Sequence, residues 1–358
     1  MILPRIDELL AGIKWPQLDK ARYLLTASDT LVTCAGFEDR SLAYLSGSVD
    51  SGCRGFRIIG VDYRPEVLEN RVGELNQLAK RADAELTVIT YDRQEGERAG
   101  EIFEYARRAK RILLDISGMS RLLIVQLIAA AVRENLVHRV EVIYTEAGIY
   151  PPTQEEVAAR LDDDKDYFSV LNFISSGVLG ITIVPELSTI AMQGQPIRLV
   201  AFPSFNPTQL AAVCAEIQAS SFSIVNGVPP SVQNSWRREA IRRLNNIDSI
   251  REKEEFNAST LDYRETLRLL LDLYRKHGAL EKLVISPTGS KMQSVAVGIA
   301  CGFLRDLQVV YPTPRSFPSP SNYTKGAIGT YRLCLEPFSA LARASEEVAE
   351  EIHTTDTG

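Results

Sequence analysis

Histidine is scarce in this 358-residue chain, which has three, and tryptophan, methionine and cysteine number only two, four and five. The cysteines, at 34, 53, 214, 301 and 334, show no paired ligand spacing. They read as reduced thiols in or near a core, and neither a metal centre nor a disulfide framework is expected. No uninterrupted apolar run reaches about 18 residues, and no charged stretch followed by a long apolar segment opens the chain, so a cytoplasmic protein without a membrane span is expected. Excess positive charge is also missing. The formal net charge is -6, which argues against a general duplex nucleic-acid surface but leaves room for a focused basic pocket. Three signatures are absent as well: G-x-G-x-x-G, G-x-x-x-x-G-K-[ST] and G-x-S-x-G. An ordinary nicotinamide enzyme, a P-loop enzyme and an α/β-hydrolase are therefore disfavoured, and no cofactor is expected.

What is present is a chain 45% hydrophobic, long enough for two domains or one large pseudo-symmetric unit. It is organised around Leu280 to Phe303, LEKLVISPTGSKMQSVAVGIACGF. Leu283 to Ile285 suits a strand buried on both faces. Thr288, Gly289 and Ser290 form a turn, and Lys291 opens a helix of small residues whose apolar positions share a face. A similar unit runs from Lys110 to Val132. There Leu113 to Ile116 is the strand, Ser117, Gly118, Met119 and Ser120 the turn, and Arg121 the basic position. A strand-turn-helix junction aims free amides and the positive end of a helix at one place, which suits phosphate oxygens.

Strand and helix signals alternate on both sides of these units. The first half reads as strands at Asp29 to Thr33, Phe56 to Val61, Leu86 to Thr90, Arg111 to Ile116 and Arg139 to Tyr144. The second reads as strands at Pro196 to Phe202, Ser221 to Val225, Leu283 to Ile285 and Leu307 to Tyr311, with a charged helical region at Trp236 to Phe256 and a Pro-rich loop at Pro312 to Pro320. Phe37 to Arg121 spans 84 residues and Phe205 to Lys291 spans 86, a near-match that favours internal duplication over a convergent pair of βα units. The fold class is α/β: tandem Rossmann-like domains with mainly parallel sheets in a pseudo-two-fold arrangement. The expected divisions are a leading helical segment at 1–28, a first domain at 29–154 and a connector with a sheet extension at 155–195. A second domain at 196–336 carries a helical insertion near 235–260, and a C-terminal helix and tail occupy 337–358. The acidic run Asp162, Asp163, Asp164 and Asp166 reads as a solvated bend, not a calcium loop.

The candidate site residues lie at strand ends. Arg121 and Lys291 read either as solvated charges at helix starts or as phosphate ligands, since a basic residue there is unfavourable unless compensated, as a bound phosphate would do. Ser120 and Ser290 read equally as phosphate or sugar donors and as helix caps. Ser117, Gly118, Thr288 and Gly289 shape the turns and can offer hydroxyls or amides. Phe37 and Phe205 are base-stacking or core residues, and Glu38, Asp39 and Arg40 either read sugar and base donors or form a surface salt bridge. Asp62 and Asn226 are ribose acceptors or turn formers. Tyr144, Thr145, Glu146 and Tyr311 are candidates for a cleft wall, and the loop bearing Arg315, Tyr323, Thr324 and Lys325 for a cover.

The two polar turns, Ser117 to Arg121 and Thr288 to Met292, resemble those of the CRISPR-associated Rossmann-like (CARF) domain family, in which a strand leads into a glycine- and hydroxyl-rich loop, a basic residue and a helix. The resemblance covers most of Asp29 to Tyr311. It implies binding of a cyclic oligonucleotide or related small nucleotide at a two-fold cleft, with Ser120, Arg121, Ser290 and Lys291 lining it, and it brings in a second copy of the chain or a defence-system protein as candidate partners. Some members of that family also cleave their ligand. Carried over, this makes Arg121, Lys291, Ser120 and Ser290 the catalytic candidates of a metal-independent ring nuclease, in which a ribose hydroxyl attacks its own adjacent phosphate. The tandem-glycine form of the loop is absent here, as are a winged helix and a nuclease effector domain. A noncatalytic assembly scaffold is the remaining class.

Overall fold

The computed structural model describes residues 11–64, 70–92, 99–161, 175–189, 192–317 and 324–343. In chain order the strands of the first half are β1 (Asp19–Lys20), β2 (Asp29–Cys34), β3 (Arg57–Arg64), β4 (Glu85–Asp92), β5 (Arg111–Asp115) and β6 (Val140–Glu146). Helices α1 (Ala43–Asp50), α2 (Val72–Arg81), α3 (Ala99–Ala106), α4 (Arg121–Arg133) and α5 (Gln154–Leu161) belong to the same half. The rest of the chain forms strands β7 (Ser176–Ile183), β8 (Ile197–Ala201), β9 (Ser221–Val228), β10 (Lys253–Ser259), β11 (Lys282–Ser286), β12 (Gln308–Ser316) and β13 (Gly329–Cys334). Its helices are α6 (Pro207–Ile217), α7 (Trp236–Leu244), α8 (Tyr263–His277) and α9 (Lys291–Phe303).

Two mainly parallel sheets result. The first has the order β1-β13-β6-β5-β2-β3-β4 and the second β10-β9-β8-β11-β12-β7. The parallel strands correspond one to one, β6-β5-β2-β3-β4 matching β12-β11-β8-β9-β10, so the tandem Rossmann-like arrangement is present. The central strands β2, β5, β8 and β11 are short apolar runs, almost entirely buried, as a parallel sheet covered on both faces requires. Beyond its fifth strand each sheet gains an antiparallel strand lent by the other half, and in the first sheet β1 adds a further one outside it. β7, which follows β6 in the chain, pairs with β12 of the second sheet. β13, which follows β12, pairs with β6 of the first. Each half lends its next strand to the other.

The halves meet along α4 and α9. Leu123, Ile124, Leu127 and Ile128 share one buried cluster with Val295, Ile299 and Phe303, each such side chain contributing about 1.5–3 kcal/mol on burial. The crossing is close because α9 carries glycines on that face. A Cβ on Gly298 would stand 2.7 Å from Ile128 Cβ, and one on Gly302 would stand 2.5 Å from Val132 Cβ.

Several elements differ from the sequence-based expectation. From residue 13 to 28 the chain is an extended strap, not a helix. Pro16 interrupts it, Asp19–Lys20 pairs with β13, and Tyr263 Oη donates to Pro16 O at 2.9 Å. The charged segment ending at Phe256 divides into α7 and strand β10. Lys253–Ser259 pairs with β9 along its whole length at the sheet edge, where charged side chains remain solvated and so do not mark a helix. β12 runs through Pro312 and Pro314 to Ser316 instead of ending at Tyr311. β11 reaches only Val309, so beyond that point β12 has one neighbour, and a bulge at Thr313/Pro314 accommodates prolines. The exchange places residues 329–334 in the first sheet and 176–183 in the second, contrary to the contiguous divisions. Residues 339–343 are helical. Residues 162–174 of the expected connector and sheet extension, the acidic run included, lie outside the described residues. Among the described residues no helix is long and apolar enough to cross a membrane.

Candidate functional site

Both polar turns are built by local capping. After β5, Asp115 Oδ1 accepts from Ser117 N at 3.1 Å, closing a turn over Ile116–Gly118, and Ser120 Oγ accepts from Leu123 N at 3.2 Å as the cap of α4. Gly118 admits no side chain, because a Cβ there would meet Cys34 O at 2.7 Å. After β11, Thr288 Oγ1 donates to Phe202 O at 2.6 Å. Ser290 and Gln293 form a reciprocal capping box, Gln293 N to Ser290 Oγ at 3.1 Å and Ser290 N to Gln293 Oε1 at 2.8 Å. Both serines are therefore helix caps, and both also face the cavity described next.

The two turns face one another. Arg121 Nε donates to Gly289 O, and Lys291 Nζ donates to Ser117 O. Above them lies a cavity of 380 Å3 whose wall includes Phe37, Glu38, Arg40, Gly118, Ser120 and Arg121 from the first half, with Glu146 at the end of β6. From the second half it includes Phe205, Thr288, Gly289, Ser290 and Lys291. The start of each helix presents first-turn amides that have no partner within the helix itself. Two helix N-termini and two cations thus converge on one space, a favourable setting for an anion.

The charges are not arranged symmetrically. Arg40 lies between the rings of Tyr144 and Tyr150, 5.6 Å from each centroid. Its Nη1 donates to Tyr144 Oη at 3.2 Å and Thr145 O at 3.3 Å, and its Nε to Glu38 Oε2 at 2.7 Å. Burial pushes Glu38 upward, but the charges of Lys291 and Arg40 outweigh it and hold the carboxyl at about 2. Burial lowers Lys291 to about 8, with Glu38 opposing that fall and Arg40 and Arg121 adding to it. Asp115, buried beneath the first turn, is raised to about 6 by desolvation against the hydrogen bonds from Ser117. Thr324 Oγ1 donates to Glu38 Oε2 at 2.5 Å and Gly326 N to Asp39 Oδ2 at 3.1 Å, so the segment leading into β13 is fastened over the Phe37–Asp39 loop. Thr324 lines the cavity and Lys325 bridges to Ile149. Tyr323 lies outside the described residues.

Several of the candidates are not part of the wall, Arg315 and the fully buried Thr145 among them. Asp39 faces Gly326, Asp62 accepts from Asn70 and pairs with Arg64, and Asn226 donates to Glu255. Ser117 is buried, its Oγ accepting from Thr145 N at 2.8 Å, and only its carbonyl meets Lys291. Tyr144 and Tyr311 do reach the cavity, mostly buried. Phe37 packs at a tilt against Phe317 and Phe205 against Trp236, with Arg237 over the Phe205 ring at 5.2 Å. Sequence reasoning missed Tyr63, Gln209, Arg237 and Gln293, all in the wall. Tyr63 Oη accepts Ser120 N at 2.6 Å and Gln209 Nε2 donates to Pro312 O at 2.8 Å. Gln293 alone carried a sequence signal, standing three residues after a serine at a helix start.

No protein-family model matches the chain, and no curated protein matches it. Among solved structures, a universal stress protein from Archaeoglobus fulgidus aligns at 11% identity over 80% of this chain and 97% of that one, with a TM-score of 0.23. A second protein, described as a putative universal stress protein, from Pseudomonas aeruginosa aligns at 9% identity over 89% of this chain and 98% of that one, also at 0.23.

Proposed function

We propose that the cavity between the halves binds a small anionic nucleotide, in the manner expected of CARF-like sensors, with a cyclic oligonucleotide as the form of ligand. One observation carries this reading: Arg121 and Lys291, on corresponding turns of the two halves, border the same cavity with the starts of α4 and α9. A phosphate at Arg121 would replace a neutral carbonyl acceptor by a charged one, which forms a stronger hydrogen bond with a cation. Phe37, half-buried at the wall, offers a ring for a base. Titration calorimetry of the protein with cyclic tri-, tetra- and hexa-adenylate tests the reading. Saturable binding of at least one ring that is lost in Arg121→Met with the fold retained supports it, and absence of binding for all three refutes it. Chromatography of a bound ring after incubation separates sensing from cleavage: intact ring excludes the nuclease alternative, whereas linear product establishes it. A protein solely for assembly would bind none of them.

A further inference from the structure

The two ends of the cavity differ, and the difference is centred on Glu38. Its Oε2 is occupied by Arg40 Nε at 2.7 Å and Thr324 Oγ1 at 2.5 Å. Its Oε1 stands 3.7 Å from Lys291 Nζ, an ion pair beyond hydrogen-bond length, and among the described residues no donor reaches that oxygen. Arg121 has the opposite surroundings. Among the described residues it has no ion pair, and its Nε alone is used, on Gly289 O, so that neither terminal amino group of this wall residue meets an acceptor among them. The other wall carboxylate, Glu146, accepts from Tyr331 Oη at 3.3 Å.

These surroundings sort the chemistry of a guest. A phosphate oxygen placed against Glu38 Oε1 meets a like charge, whereas at Arg121 it meets a planar cation and the first-turn amides of α4. A hydroxyl both donates and accepts, so one group can donate to Glu38 Oε1 and accept from Lys291 Nζ. We propose that Glu38 is a specificity-determining residue that, together with Lys291, holds a ribose hydroxyl, while Arg121 holds phosphate. The ligand is then a ribonucleotide, and its 2′-deoxy counterpart is rejected. This inference rests on the nucleotide reading above and narrows it.

Equilibrium dialysis of the full chain at pH 7 with cyclic tetra-adenylate and cyclic tetra-deoxyadenylate, repeated with the three- and six-membered rings, tests it. The ribose ring is expected to bind about tenfold or more tightly than the deoxy ring, the scale of one hydrogen bond to a charged group. Glu38→Gln is expected to bring the two within about threefold of each other, while Arg121→Met weakens both and leaves their ratio unchanged. Equal binding of ribose and deoxy rings by the native protein overturns the inference while leaving nucleotide binding intact. So does an undiminished ratio in Glu38→Gln. No binding of any ring removes the nucleotide reading itself. The comparison of rings on the native protein needs no substitution, so a variant that misfolds leaves the test standing.

Discussion

Arg121 and Lys291 each reach across the pseudo-two-fold and donate to a carbonyl of the other's turn, Gly289 O and Ser117 O. Both cations are therefore positioned before any anion arrives, so binding forfeits little side-chain freedom. The carbonyls that hold them are neutral acceptors, weaker than a phosphate oxygen.

Removing either cation should show mainly in binding. Arg121→Met is expected to weaken cyclic tetra-adenylate binding roughly ten- to a hundredfold, the equivalent of about 1.5–3 kcal/mol for a charge-assisted hydrogen bond. Calorimetric titration reads the affinity, and a thermal melt within a few degrees of the native one shows that the loss is not unfolding.

Affinity should fall as pH rises through the alkaline range. Lys291 titrates at about 8, lowered by burial, so it is charged at pH 7 and mostly neutral at pH 9.5. A bound anion raises that value and delays the fall. Dissociation constants measured between pH 7 and 9.5 should climb for the native protein and stay level for Lys291→Met.

Acid stability should depend on Glu38. Its folded value of about 2 lies below the ordinary value of 4.5, so its contribution is complete above about 4.5 and disappears as pH falls through 2. The contribution is at most about 3 kcal/mol. Urea unfolding of Glu38→Gln should show a deficit against the native protein at pH 7 that closes toward pH 2; a constant deficit would contradict the linkage.

The α4–α9 crossing should reject a methyl group. In Gly302→Ala the new Cβ would stand 2.5 Å from Val132 Cβ, and overpacking of about 1–3 kcal/mol outweighs the helix-propensity gain of about 0.8–1 kcal/mol. A lowered urea midpoint is expected, and an unchanged or higher one would show that the helices separate freely.

Ending the chain after Phe317 should abolish folding. β13 and the turn after it supply buried Leu333, Leu335, Phe338 and Leu341 to the core. At about 2–5 kcal/mol for each large apolar side chain lost, the deficit is as large as the roughly 5–15 kcal/mol by which domains are stable. Size-exclusion chromatography and circular dichroism of the shortened chain would reveal aggregate or unfolded protein.

The parallel cores were legible because both faces of β2, β5, β8 and β11 are buried and their sequences are correspondingly apolar. Their turns were legible because serine, glycine and a basic residue recur at one offset in both halves, and the structure brings those turns to one cavity. β10 was not, since an edge strand keeps its lysine and glutamates in water and shows no apolar run. Nor could the wall contributions of Tyr63 and Gln209 be read, because each depends on a contact distant in sequence, with Ser120 and Pro312. Asp62 and Asn226 looked alike at strand ends, yet Asn70, which itself lines the cavity, and Glu255 engage them, and neither reaches the wall.

The reciprocal loan of strands also sets an order of events in time. β6 is sealed by β13, which is translated about 180 residues later at the ribosome's ordinary pace of roughly 5–20 residues per second. The first sheet must therefore emerge with an open edge and stay bare for many seconds while its covering strand is still being synthesised. An unpaired edge of that kind invites pairing with another nascent chain. On a crowded polysome, the protein's greatest exposure to mispairing thus falls before its own second half is complete.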